Sequence, residues 1–335
     1  MHWLELLILS VAALALIPLL VLFVGTLLSL DPGRAHAAAS AALPLLADPA
    51  VSPDGLLRIR VAGMDFRARV ANLRGRGDGV ILLHGWPQTS ASWQPVMTEL
   101  ARLGYRVAAF DQRGYSPGAR PTGIAAYALE QLVADVIGIA DALGFDRFHL
   151  AGHDWGAAVG WSVLIARPDR ILSWSALSIA HPAAFGEALR RDADQRRRSR
   201  YIQFFRLPFL PELLLGFNRN QLMRRVMYRH MPAEHVAEYR RMLAEPGALT
   251  AVLNWYRAMV TRQSPWPREP VKQPVLFIWG NRDPAAGRRA VELQRDYIRG
   301  YYRYVELDAG HWLLECEPAA VLRELTAHIA AHSLA

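Results

Sequence analysis

The run Gly152-His153-Asp154-Trp155-Gly156 sets a carboxylate between two glycines, each two positions away. Residues 148–151 before it form a short apolar stretch that reads as a buried strand, and residues 157–165 after it read as a helix. A tight strand-to-helix turn has no room for larger side chains beside its central residue. It also pushes that residue out above the sheet, which is what a nucleophile elbow requires. Serine at the centre would suit acyl transfer. A carboxylate there suits alkyl transfer, because it attacks saturated carbon and becomes an ester of the enzyme. Water must then cut that ester, so the chain should also hold a base, an acid to orient it, donors for an oxyanion and help for the leaving atom. An aspartate at a helix start is otherwise an N-cap, so the reading depends on finding these partners.

All of them can be placed. His84-Gly85-Trp86-Pro87 follows an apolar run at residues 80–83. In such a sheet the loop after that strand gives one backbone N–H to the oxyanion hole, and the residue after the nucleophile gives the other. Pro87 has no N–H, so the expected donors are Trp86 and Trp155. His311, in Ala309-Gly310-His311-Trp312, falls after the final strand, where the base belongs in the chain order nucleophile, acid, base. The acid is expected at Asp283, after the strand ending at Trp279. Asp308 is nearer in sequence but leaves its strand too close to the base. Tyr201 and Tyr256 each stand in aromatic helical stretches, Tyr201-Ile202-Gln203-Phe204-Phe205 and Leu253-Asn254-Trp255-Tyr256-Arg257. Aromatics at helical spacing are ordinarily core. An epoxide oxygen, however, leaves as an alkoxide, and two neutral phenols with pKa of about 10 can donate to it. Phe204, Phe205 and Trp255 are expected to contact the substrate. With Phe209, Leu213 and Leu214 they suggest an apolar compound.

Elements that would carry these residues alternate along the chain. Apolar strand patterns at residues 57–61, 66–70, 80–83, 107–110, 148–151, 171–179, 275–279 and 302–307 are interleaved with helical patterns at 93–103, 129–143, 155–167 and 319–331. The class is therefore α/β: a mostly parallel eight-stranded sheet covered on both faces. Residues 55–180 and 268–335 form the core. Residues 181–267, helical, aromatic and broken by Pro208, Pro211, Pro232 and Pro246, are an insertion after the sixth strand, expected to be a lid. Residues 31–54, rich in Ala and Pro, read as a linker.

At 335 residues the chain can bury a full core. Its net charge of +8 is almost all arginine, Lys272 being the only lysine. Clusters at Arg190-Arg191, Arg196-Arg197-Arg198 and Arg224-Arg225 read as solvated helix faces or as sites of attraction to anionic lipid headgroups. Nucleic-acid binding lacks any motif. The single cysteine, Cys316, excludes an intramolecular disulfide and argues against a zinc–thiolate site. Residues 4–30 are nearly all apolar and long enough to cross roughly 30 Å of hydrocarbon. Residues 1–30 are thus expected to be a single-pass membrane anchor, although Ala35-His36-Ala37 resembles a cleavage site. Arg34, Arg58 and Arg60 beyond the span favour a cytoplasmic catalytic domain.

From Gly55 onward the chain resembles an epoxide hydrolase of the α/β-hydrolase fold. The resemblance rests on His84-Gly85-Trp86-Pro87, Asp111-Gln112-Arg113-Gly114-Tyr115, Gly152-His153-Asp154-Trp155-Gly156, the two tyrosine segments, Trp279-Gly280-Asn281-Arg282-Asp283 and Gly310-His311-Trp312. It implies a cofactor-free, metal-free hydrolysis of epoxides to vicinal diols. Asp154 would attack the less hindered carbon while Tyr201 and Tyr256 hydrogen-bond the oxygen. His311, oriented by Asp283, would then activate water, and the Trp86 and Trp155 N–H groups would hold the oxyanion. The N-terminal span resembles the anchored branch of that family. Expected partners are a small apolar epoxide, water and, through the N-terminal helix, a lipid bilayer. Two alternatives stand beside this. A haloalkane or haloacid dehalogenase would use the same aspartate; Trp155 fits its halide site, but Trp86 replaces the usual Asn. A membrane-tethered α/β protein could bind ligand without turnover.

Overall fold

The computed structural model describes residues 16–18, 20–21, 24, 30–50, 52, 54–229, 231–259 and 268–334. Its strands are β1 (Gly55–Val61), β2 (Met64–Ala71), β3 (Gly79–Leu83), β4 (Arg106–Phe110), β5 (Phe148–His153), β6 (Ile171–Leu177), β7 (Val275–Gly280) and β8 (Tyr302–Leu307). They form one eight-stranded sheet in the order β1-β2-β4-β3-β5-β6-β7-β8. β1 pairs antiparallel with β2, and β2 with β4; every later pair is parallel.

Helix α1 (Leu30–Ala41) precedes the sheet, and α2 (Gln94–Arg102), α3 (Leu129–Ala142) and α4 (Trp155–Ala166) alternate with its strands. Between β6 and β7 come α5 (Pro182–Arg191), α6 (Ala193–Arg198), α7 (Arg200–Phe205), α8 (Leu210–Val226), α9 (Ala233–Leu243) and α10 (Ala248–Ala258). The rest of the expected insertion, residues 260–267, lies outside the described residues. α11 (Arg288–Leu293), α12 (Leu313–Cys316) and α13 (Pro318–Ala330) complete the chain.

The central strands are apolar on both faces because both are covered. In β3, Val80 and Leu82 pack with Val96 and Leu100 of α2 and with Val321 and Leu325 of α13. Ile81 and Leu83 point the other way, into the cluster that holds Val136 of α3 and Val159 of α4. Each such aliphatic side chain contributes roughly 1.5–3 kcal/mol on full burial. β4 lies on one side of β3 and β5 on the other, so the winding reverses between β3 and β5. The carboxyl ends of these strands open the crevice where ligands bind in sheets of this kind.

Two expectations are corrected here. The stretch read as linker contains α1. Its alanines favour helix, and it docks on the rest of the chain through polar contacts: His36 Nδ1 lies 2.5 Å from Glu245 Oε1, and Arg67 donates to Ser40 Oγ at 2.5 Å. The helix includes Ala35-His36-Ala37. The single-pass anchor does not stand either: among the described residues no helix is long and apolar enough to cross a membrane. Most of residues 4–30 lie outside the described residues. An apolar run measures capacity to span; a single-pass anchor of the kind expected requires it to form one continuous helix. The membrane location, the cytoplasmic orientation and the bilayer as partner fall with the anchor.

Candidate active site

Asp154 sits between the end of β5 and the start of α4, at φ 52° and ψ −119°. Such backbone is costly for a residue with a Cβ and persists only where surroundings enforce it. Here close packing does. A Cβ on Gly156 would fall 2.1 Å from the Leu83 carbonyl oxygen, so α4 can approach β3 only with glycine there. One on Gly85 would fall 2.5 Å from the Asp154 Cβ, which brings the loop after β3 against the elbow.

The carboxylate is buried and held from two sides. Oδ1 accepts the Trp86 N–H at 2.8 Å, and the Trp155 N–H at the start of α4 also supports the charge. Oδ2 lies 3.5 Å from His311 Nε2. The other ring nitrogen, Nδ1, lies 2.7 Å from Asp283 Oδ2. Asp283 Oδ1 accepts N–H bonds from Ala285 at 2.7 Å and Ala286 at 3.1 Å, and Arg198 donates to its backbone carbonyl. Burial alone would lower the imidazole pKa, but carboxylates at both nitrogens hold it up, at about 10. Burial opposes ionisation of both aspartates; for each, contact with His311 outweighs it and keeps the carboxyl below its usual range. Asp308, the competitor in sequence, is exposed and pairs with Arg282 at 2.9 Å, away from this cluster.

Tyr201 of α7 and Tyr256 of α10 come together with ring centroids 6.1 Å apart. Loss of water around the phenol oxygens, reinforced by the Asp154 charge, pushes both above their ordinary pKa, so both are neutral donors; Tyr256 is buried, whereas Tyr201 is 36% exposed. They face a cavity of about 80 Å³ whose wall also holds Asp154, Trp155, Ile179, Phe185, Leu189, Ile202 and Met259. Phe204, Phe205 and Trp255 are not on that wall. Phe205 is buried against Trp86 and Tyr256, at 4.6 and 5.0 Å, with Phe204 packed 5.8 Å from it. Trp255 is also buried; its indole donates to the Arg113 carbonyl at 2.9 Å, and its ring lies 5.3 Å from Trp155. Phe209 is 77% exposed.

Sequence reasoning missed the opposite wall, Ile179, Phe185 and Leu189, for which the i, i+4 spacing of Phe185 and Leu189 was the available signal. It also missed a buried brace behind the triad. His153 bridges Gln88 Oε1 at 2.9 Å and the His311 carbonyl at 2.8 Å. Gln88 in turn accepts the Gly85 N–H at 3.0 Å and donates to Glu315 at 2.6 Å. The loop carrying Trp86 and the segment carrying His311 are thereby fixed to one another.

Sheet order, elbow and triad together define an α/β hydrolase, and the family described as alpha/beta hydrolase fold matches residues 79–318. Human epoxide hydrolase 4 is 30% identical over 301 residues, 87% of this chain and 81% of its own length. The AB hydrolase superfamily protein YfhM of Bacillus subtilis is 35% identical over 257 residues, 74% of this chain and 89% of its own. Among solved structures, epoxide hydrolase A from Mycobacterium thermoresistibile matches with a TM-score of 0.71 at 27% identity, covering 83% of this chain and 98% of that one. The chain belongs to the α/β-hydrolase family and, within it, to the epoxide hydrolases.

Proposed function

We propose that the protein hydrolyses an apolar epoxide to a vicinal diol in two steps, through an ester on Asp154, with helices α5 to α10 serving as the lid. The observation that carries this reading is the Asp154 carboxylate itself, with Oδ1 on a backbone N–H and Oδ2 toward His311, at the edge of a cavity that also holds two neutral phenols.

In the first step Oδ2 attacks the less hindered ring carbon. The carbon–oxygen bond of the ring breaks, an ester bond forms, and a phenol of Tyr201 or Tyr256 gives its proton to the leaving oxygen. Esterification removes the Asp154 charge that helped keep His311 protonated, so the imidazole pKa falls. Overall, the ring oxygen gains the proton His311 gives up, and the phenol is restored. His311, now neutral and oriented by Asp283, takes a proton from water as that water attacks the ester carbonyl. The oxyanion forms at Oδ1, where the Trp86 and Trp155 N–H groups can hold it, and collapse releases the diol. The dehalogenase alternative is less well supported: halide leaves as a weak base and needs no acid, whereas two phenols at the cavity suit an alkoxide.

The test is a single turnover in oxygen-18 water. The first diol should carry an oxygen from Asp154 rather than from solvent, and His311→Gln should accumulate an ester seen as a mass increase on the Asp154 peptide. Solvent oxygen in that first diol, or normal turnover by His311→Gln, sinks the proposal. The aliphatic wall favours an uncharged substrate. Competing a fatty-acid epoxide against a small aryl epoxide would show how large an apolar group the cavity accepts.

A further inference from the structure

A second cavity, of about 520 Å³, opens between α8 and α9. Four arginines line it: Arg224 and Arg225 from the last turn of α8, Arg229 just beyond, and Arg240 on α9, over a floor that includes Tyr228 and Val236. Among the described residues, no acidic side chain is on its wall. Some arginines elsewhere are matched by carboxylates, as Arg113 is by Asp135, Arg69 by Glu238 and Arg303 by Glu324, while others, such as Arg206, stand singly on the surface rather than grouped around one space. Among the described residues, Arg224, Arg225 and Arg229 have no such match. Cations in a last helical turn complement the helix dipole, which accounts for Arg224 and Arg225. It does not account for Arg229 and Arg240 converging on the same space.

We propose that this cavity binds an organic phosphate. Like charges gathered at one site repel, and an anion of matching valence removes that cost. A phosphate monoester carries about −1.5 to −2 at neutral pH and presents several oxygens, which planar guanidinium forks engage in pairs. The cavity greatly exceeds the ~30 Å³ share of one water, so it has room for the group the phosphate is attached to, laid over Val236. Tyr228 donates to the Pro87 carbonyl at 3.1 Å, beside Trp86, and is left unchanged in the test for that reason.

The experiment compares the wild-type chain with Arg224→Ala/Arg225→Ala/Arg229→Ala, all exposed positions, by thermal shift and calorimetry. The soluble probe is phenyl phosphate against sodium chloride of equal ionic strength. The lipid probe is vesicles of phosphatidylcholine with and without phosphatidic acid. Phenyl phosphate should stabilise the wild type and not the triple variant, each single Arg→Ala change weakening binding roughly tenfold. Selective binding to phosphatidic-acid vesicles without response to phenyl phosphate also supports the phosphate site and assigns its source to a lipid headgroup. An equal response from the triple variant, or none to either probe, overturns the proposal. Neither readout uses epoxide turnover, so the result is independent of the catalytic reading.

Discussion

The Nε2 atom of His311 stands 3.5 Å from Oδ2 of Asp154. The contact is long for a hydrogen bond, while Nδ1 is engaged at 2.7 Å by Asp283. The ring is therefore fixed from behind and looser toward the elbow, the side on which a water would have to be activated. It also couples the two residues electrostatically, since each favours the charged form of the other.

That coupling has a sign. The imidazole pKa is raised from 6.5 to about 10 in the folded chain. Its contribution to stability is thus fully present below the unfolded value of 6.5 and is lost as pH rises toward about 10. Wild type should therefore lose stability relative to His311→Gln across this window. Urea denaturation of both proteins at several pH values checks it, and a difference independent of pH would contradict the charge assignment.

Asp283 and Asp308 offer a direct comparison. Asp283→Asn leaves the shape but removes the charge that orients His311, and should slow ester hydrolysis by on the order of 10³–10⁴. Asp308→Asn removes only an exposed pair with Arg282 and should leave turnover unchanged. Single-turnover kinetics on both variants would decide it. Similar losses in the two would mean that the acid is misassigned.

The phenols should act on the other half of the reaction. Tyr201→Phe and Tyr256→Phe should each slow ester formation by roughly ten- to a hundredfold, because one phenol remains, and the double change by about 10²–10⁴-fold, the usual worth of a general acid. Hydrolysis of a preformed ester should be little affected. An unaltered rate of ester formation in the double variant removes the tyrosines from the mechanism.

How far the sequence reveals this arrangement depends on the physical scale of each feature. β3 and β7 are legible because strands buried on both faces are near-continuous apolar runs, β5 through Phe148, Leu150 and Ala151 although it also buries His149 and His153, and the elbow because its geometry admits only small neighbours. The cavity wall is less legible. Successive helical residues point roughly 100° apart, so Trp255 turns into the core where Tyr256 reaches the cavity. Phe205 is one turn from Tyr201 yet is drawn onto Trp86, a contact set by a loop far away in the chain. α1 escapes a periodicity reading because it docks through His36, Ser40 and the close approach of Gly33 to Ala244 rather than through an apolar stripe.

Glu245, in the turn between α9 and α10, ties that N-terminal helix, the sheet and the tyrosine-bearing helix together. Its Oε1 meets His36 at 2.5 Å and Arg67 at 3.1 Å, and Arg120 donates to Oε2. Arg67 is also held by Asp111 at 2.6 Å, whose other oxygen accepts the Ser90 N–H at 2.7 Å. Glu245→Ala would leave two buried guanidiniums short of a counter-charge, a defect that usually costs about 3–5 kcal/mol. His36→Ala removes one contact and leaves both arginines matched, so about 1 kcal/mol is expected. Chemical denaturation should separate the two variants by this margin, and hydrogen exchange in Glu245→Ala should show α10 losing protection before β3 or β5. A Glu245→Ala protein as stable as His36→Ala would mean that this turn is held by packing rather than by its buried charges.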